Sequence, residues 1–282
     1  MKRIIVSLFA AIAAVMPVMA QSMPALLIPT DARSLAMGGA VVALESEADL
    51  DADALFGMWA PATADNIIAG LDARYKVSDK FALEIQGSMF KDKPYEISNS
   101  EGKITGTFAP SDMLFGLGGC LGVSDAISVE LKAKMFMSTL GADLKGNAFG
   151  ADLIVRYHAD GLNVAAGAAN LGTPIKFGNK SYPMPMMAKA GASYSVSGIT
   201  ASAEVDYLFS GALMAGLGAE YCYDDMVFLR AGFHYGDAAK ALPTFASVGA
   251  GFKFSGIRLN VAYITANPNI GNSVMLSLGY TL

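Results

Sequence analysis

The sequence is short of charge. Of its 282 residues only 16% are Asp, Glu, Lys or Arg, where a soluble domain carries about 25%. It is also short of reactive side chains, with two His and two Cys. Apolar residues are not scarce: they make up 53%, which excludes a disordered chain, since disorder goes with few apolar residues. The net charge of -5 lacks the basic footprint of a nucleic-acid binder. Long apolar runs are missing too. After residue 20 nothing approaches the ~20 consecutive apolar residues of a spanning helix. The longest charge-free stretch, 259–282, is interrupted by Asn260, Asn267, Pro268, Asn269, Gly271 and Asn272. The apolar residues are spread out, and their period decides what they build.

The first twenty residues read as a secretory signal peptide. Lys2 and Arg3 begin it, Ile4 to Val15 form its apolar stretch, and Val18, Met19 and Ala20 form a small-residue cleavage site. Gln21 is then the expected first mature residue. It is not Cys, so no lipid anchor is expected there. The mature chain of 262 residues carries 18 basic against 25 acidic side chains, a net -7, and is long enough for one large domain.

The period of the mature chain is two. Ile127, Val129, Leu131, Ala133 and Met135 alternate with Ser128, Glu130, Lys132 and Lys134. Ile199, Ala201, Ala203, Val205 and Tyr207 alternate with Thr200, Ser202, Glu204 and Asp206. The same holds around Leu83, Leu153 and Leu259. Successive strand side chains point to opposite faces, so each segment is a strand with one apolar and one polar face.

A soluble sandwich and a transmembrane barrel both show that alternation. The barrel is the better reading, because the pattern runs to the last residue, the signal peptide exports the chain, and apolar faces end repeatedly in Tyr (Tyr75, Tyr157, Tyr194, Tyr221, Tyr280), as in aromatic girdles. Turns such as Asp160-Gly161, Ser197-Gly198 and Ser255-Gly256 alternate with longer links at 91–102, 138–147, 171–184, 237–243 and 266–272. Short periplasmic turns and longer outer loops would produce this. The expected strands are 66–76, 80–90, 103–108, 112–123, 126–138, 147–158, 162–170, 186–196, 199–208, 213–223, 226–236, 244–254, 257–265 and 273–282. The fold class is therefore all-β, an antiparallel transmembrane barrel of about 14 strands, with 12 as the alternative. The third strand is the weakest, and even strand parity supports it.

Residues 21–65 lack the long alternation and are expected to form a plug in the lumen, with 66–282 as the barrel. The segment holds Ala32-Arg33, Met37-Gly38-Gly39-Ala40, an acidic stretch from Glu45 to Asp53, and Ala60-Pro61-Ala62. It resembles the start of the PorV/PorQ family within the FadL-like outer-membrane barrels. Asn170-Leu171-Gly172-Thr173, followed by Tyr182-Pro183-Met184-Pro185, and Gly106-Thr107-Phe108-Ala109-Pro110 extend the likeness. The family's Asn before the Pro is Ala60 here. The resemblance implies either an accessory role in protein export or surface display by a type IX secretion system, or uptake of small hydrophobic compounds through a plugged lumen. Partners would be outer-membrane lipid, the barrel-insertion machinery, and either secretion components with exported proteins or a small hydrophobic ligand. The expected location is the outer membrane of a Gram-negative bacterium.

Candidate positions follow. Met37, Gly38, Gly39 and Pro61 would belong to the plug, with the glycines allowing close approach to the wall. Phe90, Phe136 and Phe228 fall on inward faces and could line a ligand pocket. Asn170, Gly172, Pro183 and Pro185 would mark a functional outer loop. Gly279, Tyr280 and Leu282 end the last strand and resemble an insertion signal. Inward charges of both signs, among them Lys80, Glu84, Glu130, Lys132, Lys134, Asp152, Arg156, Lys189, Glu204, Asp206, Glu220, Arg230 and Arg258, suit paired networks that anchor a plug. No catalytic residue, cofactor or metal site is expected. His158 and His234 have no nearby Ser motif or metal-ligand spacing. Gly116, Gly118, Gly119 and Gly122 are not followed by the helix of a dinucleotide loop. Cys120 and Cys222 sit on distant strands, and no disulfide is expected between them.

Overall fold

The computed structural model describes residues 24–44, 50–58, 66–141, 144–237, 240–266 and 272–282. The signal-peptide cleavage site and Pro61 lie outside the described residues. A 3-10 turn, Pro24–Leu27, and a five-residue helix α1, Ala32–Ala36, precede the strands. The first strands are β1 (Leu50–Met58), β2 (Ile67–Ser78), β3 (Phe81–Lys91), β4 (Tyr95–Ser98), β5 (Ile104–Phe108) and β6 (Ser111–Ser124). Then come β7 (Ile127–Gly141), β8 (Leu144–Ala159), β9 (Leu162–Gly172), β10 (Ile175–Phe177), β11 (Lys180–Tyr182) and β12 (Met187–Val196). The last are β13 (Ile199–Leu208), β14 (Ala212–Tyr223), β15 (Val227–Tyr235), β16 (Phe245–Phe254), β17 (Ile257–Ala266) and β18 (Ser273–Thr281). Fourteen of them form one closed antiparallel barrel; β4–β5 and β10–β11 are separate hairpins in the longer connections.

The expected number of wall strands is met with one exchange of members. The segment 103–108 is not in the wall: Ile104–Phe108 pairs with Tyr95–Ser98. At five residues it is too short for the ~9–11 residues a spanning strand needs. Its place is taken by β1, which lies inside the stretch 21–65 expected as plug. β1 closes the ring between β18 and β2. The barrel therefore begins by residue 50, and the described plug is 24–44. The acidic residues of β1 conceal its alternation: Asp51 and Asp53 point inward to Arg258, while Ala54 and Phe56 point out.

The outward face is predominantly apolar, with Leu117, Leu131 and Leu278 among its most exposed side chains. The tight turns gather at the end where Leu282 hydrogen-bonds Leu50. By the asymmetry of bacterial barrels this is the periplasmic end, and the hairpin-bearing connections mark the outer end. Three turns explain their sequences directly. Asp160/Gly161, Ser197/Gly198 and Ser255/Gly256 all have positive φ at both residues, the conformation of two-residue hairpin turns that match strand twist.

Candidate functional site: the plugged lumen

The plug begins its helix on a side-chain cap. Asp31 Oδ1 accepts from the backbone N–H of Ser34 at 2.8 Å, satisfying one of the donors a helix start leaves open. The helix ends after one turn at Gly38 and Gly39, with φ of +65° and +77°, left-handed values that glycine adopts without strain. Gly38 also lies against the wall: a Cβ there would sit 2.6 Å from Phe233 O and 2.7 Å from Leu217 O. Met37 is completely buried beside it.

The wall is shaped to receive this backbone. Gly216, Gly218, Gly232 and Gly249 face inward under residues 36–40, and a Cβ on Gly232 would come within 2.2 Å of Gly38 N. Around that seat, wall side chains satisfy the plug's main chain. Ser247 Oγ donates to Ala36 O at 3.0 Å, Arg156 Nε to Val42 O at 3.0 Å, and Ser193 Oγ to Ala43 O at 3.0 Å. Glu204 Oε2 accepts from the N–H groups of Val41 and Val42, both at 2.7 Å. His234 Nδ1 lies 3.2 Å from Gly38 O, and Arg33 makes a two-pronged contact with Glu220 at 3.0 and 2.8 Å. Buried backbone groups need such partners because no water replaces them.

Many of the remaining inward charges pair with one another. Lys132 lies 3.2 Å from Glu84 and 3.1 Å from Glu130, and Arg156 lies 2.7 Å from Glu130. Lys134 pairs with Asp152, Lys189 with Glu204 at 2.8 Å, and Arg230 with Glu220. Lys80, expected inward, is instead an exposed turn residue. The sequence reading missed Arg33, Asp51, Asp53, Asp72 and Arg74. The signal for the last two was present: Leu71, Ala73 and Tyr75 alternate with them. Among the described residues no group of His, Cys, Asp or Glu is arranged to hold a metal ion. Cys120 and Cys222 are not bridged to each other.

A cavity of about 600 Å³ runs beside the plug from the outer to the periplasmic part of the lumen. Its outer part is walled by Leu27, Ile28, Met187, Met214, Leu242 and Phe245 together with Lys189, Asp206 and His234; its inner part includes Asp51, Phe228, Arg230, Lys253 and Arg258. The three phenylalanines expected to line one pocket are separated. Phe136 is fully buried at the outer end, packed with Leu114, Ile175, Phe177 and Met184. Phe90 packs against the plug's apolar core with Leu27. Only Phe228 lines the cavity, near the periplasmic end, with the Arg230 guanidinium 5.1 Å from its ring centre. The expectation failed because inward direction fixes a face and not a depth.

The residues expected to form an outer loop point inward as well. Asn170 lies in β9 at a bulge opposite Asp152, where its backbone φ is +57°. It is buried: its N–H donates to Asp152 at 2.8 Å, its Oδ1 accepts from Lys134 at 3.0 Å, and its Nδ2 donates to Pro185 O at 3.1 Å. Gly172 is the last residue of β9, where a Cβ would lie 1.9 Å from Phe149 O. Pro183 is half-buried and Pro185 buried. The hairpin between them folds into the barrel mouth and covers it with Ile175 and Phe177. At the end of β18, Gly279 faces inward against Asp53, while Tyr280 and Leu282 are exposed outward.

Fourteen antiparallel strands close around residues 24–44, and solved outer-membrane barrels share this fold. The chain is similar in fold to the toluene transporter TbuX of Ralstonia pickettii, with TM-score 0.63 and 13% identity over 91% of this chain and 99% of that one. It is similar also to the toluene transporter TodX of Pseudomonas putida, with TM-score 0.63 and 10% identity over 89% and 97%. The CymD monoaromatic hydrocarbon channel gives TM-score 0.61 at 13% identity over 90% and 97%. No family model matches the chain, and no curated protein matches its sequence.

Proposed function

We propose that the chain is a non-enzymatic outer-membrane channel for small hydrophobic compounds, with residues 24–44 as its lumen plug. The observation that carries this reading is the cluster of apolar side chains in the outer part of the cavity, Met187, Met214, Leu242 and Phe245, which line it together with Lys189, Asp206 and His234. Small-molecule sites are commonly apolar and of this size, and methionine adapts to irregular solutes. Solved barrels of similar fold carry toluene and other monoaromatic hydrocarbons, which makes a small aromatic compound the first solute to test. The alternative inherited from the PorV/PorQ resemblance is an accessory role in type IX secretion. It draws less support, because Ile175, Phe177 and Met184 of the candidate docking loop are buried in the barrel mouth.

The test is uptake of a labelled monoaromatic hydrocarbon by cells with and without the chain. Uptake should fall on deletion, and Phe245→Asp should lower it without changing the amount of protein in the outer membrane. Unchanged uptake in the deletion strain together with a changed set of secreted proteins would replace the channel by the secretion reading.

A further inference from the structure

The outward face of the wall is almost free of charge. Among the described residues of the fourteen wall strands, two charged side chains point to the lipid side: Lys91 at the outer end of β3 and Lys145 near the outer end of β8. They fall in one row. The pairing runs Lys91 to Ser111, Ser111 to Thr139, and Thr139 to Lys145 across β3, β6, β7 and β8. With strands ~4.8 Å apart, the two lysines stand about 14 Å from each other and flank two hydroxyls. The next row toward the membrane centre is Met89, Met113, Met137 and Asn147, and the one after it contains Phe115, Met135 and Phe149. The lysine row therefore marks where the apolar band stops on this flank. On the opposite flank the outer ends of β13, β15 and β17 carry Tyr207, Tyr235 and Tyr263 instead.

Both lysine side chains are exposed, and neither ammonium makes an ion pair or hydrogen bond with another described residue. The lumen is different: there Lys132, Lys134, Lys189, Arg230 and Arg258 are all paired. Lys93 extends the basic flank outward, with its ammonium 5.9 Å from the Tyr95 ring. The nearby carboxylate, Asp92, already accepts from the Tyr95 hydroxyl and from the Lys93 N–H, at 2.7 and 2.8 Å. A lysine at a bilayer boundary lays its stem on apolar surface and lifts its charge into the headgroup layer. That layer supplies the missing anion.

We propose that Lys91, Ser111, Thr139 and Lys145 form a docking row for a phosphate-bearing lipid headgroup of the outer leaflet, with acyl chains lying on Met89, Met113 and Met137. The row rests on the outer-membrane reading above but not on the identity of any transported solute. Two ammonium groups hold a phosphate as point charges, two hydroxyls donate to its oxygens, and the flexible thioethers accommodate disordered chains. Inorganic phosphate could satisfy the charges but would leave the methionine row uncovered.

The test uses the refolded full barrel in neutral detergent micelles, with bis-phosphorylated lipid A, dephosphorylated lipid A and inorganic phosphate as probes. Lipid A should bind the native chain in a salt-sensitive manner, and Lys91→Gln/Lys145→Gln should weaken it roughly 10-fold or more. Lys91→Arg/Lys145→Arg should retain binding, and Lys103→Gln, at the hairpin tip, should leave it unchanged. Heat-modifiable gel migration reports whether each variant is a folded barrel. Equal binding of dephosphorylated lipid A, or full binding by the double Gln variant, would overturn the proposal. So would displacement by inorganic phosphate at the same concentration as lipid A, since the site would then read free anions. Membrane fractionation of the native chain tests the location separately: a non-outer-membrane location would remove that reading while the micelle titration still reports on the row.

Discussion

Along β14, β15 and β16 the inward glycines leave room for the backbone of the plug: Gly216, Gly218, Gly232 and Gly249 lie against residues 36–40. Along β6 the inward glycines serve something else. Gly116 lies under the side chains of Gln86 and Lys132, and Gly118 under the backbone and Cβ of Lys132. One half of the wall is thinned so that a peptide can rest on it. The other is thinned so that long charged side chains can lie flat and pair across β3, β6, β7 and β8. Residues 36–40 therefore rest on the glycine side, while Thr30 reaches Asp72 and Val42 reaches Arg156 on the charged side. An inward glycine in a strand means close approach; which group approaches is decided by the partner strand.

The widest separation of the two regions comes from deletion. Removing 24–44 should leave a complete fourteen-strand wall and raise permeability to small solutes sharply, read as conductance in planar bilayers. Removing 24–58 deletes β1 as well, leaves β2 and β18 without their shared partner, and should abolish the heat-modifiable barrel. A long deletion that still yields a closed barrel would show that β1 is dispensable to the wall.

The charged half can be tested residue by residue. Leu131→Arg places a cation in lipid near mid-strand and should cost about 2–4 kcal/mol. Lys132, one residue on, faces the lumen, and position alone would make its loss mild. The structure changes that expectation, because Lys132 lies between Glu84 and Glu130. Lys132→Leu leaves two buried carboxylates short of a partner, and breaking such a pair costs about 3 kcal/mol or more. Urea unfolding from detergent should therefore rank the two changes close together. A negligible effect of Lys132→Leu would mean that the network is solvated.

The same pair of residues shows how far the sequence carries. Which face each strand residue takes is readable from a period of two, and fourteen strands were countable. Two things were not. β1 was hidden because two of its inward positions are Asp51 and Asp53, whose charge is matched by Arg258, about two hundred residues later in the chain. Depth in the barrel was hidden because alternation carries no axial coordinate, so Phe136 and Phe228 appeared to share a pocket although they lie toward opposite ends. Asn170 appeared at an outer loop because Asn-Leu-Gly-Thr resembles the family's stretch there, and the bulge that turns it inward depends on Asp152 in the neighbouring strand.

A smaller effect should come from one substitution made in both halves. Gly232→Ala puts a methyl group into Gly38 N and Ala36 O, backbone atoms that cannot step aside, and overpacking of this kind costs about 1–3 kcal/mol. It should also lift the plug and increase conductance. Gly116→Ala meets only Gln86 and Lys132 side-chain atoms at 3.3 Å and beyond. Those chains can shift, so the change should stay within about 0.5 kcal/mol with conductance unaltered. Equal effects at the two sites would remove the distinction between the halves.

The smallest effect is expected at the ion pair that, among the described residues, joins the plug to its seat. Arg33 reaches Glu220 at 2.8 Å, but its side chain is 40% exposed to the cavity while that of Glu220 is only 6% exposed. Water therefore screens the arginine end of the pair, and the contact is worth less than a buried one. Glu220 also keeps Arg230 after Arg33 is lost, so Arg33→Met strands no carboxylate, and its thioether can still cover apolar surface. The expected cost is below about 1 kcal/mol, with the plug still seated on its glycines and conductance close to that of the native chain. Glu220→Gln removes the charge that both arginines share and should be clearly worse, because Arg230 is then buried without its carboxylate. If Arg33→Met opened the channel as fully as deletion of 24–44, the plug would be held by charge and not by close packing on Gly216, Gly218 and Gly232.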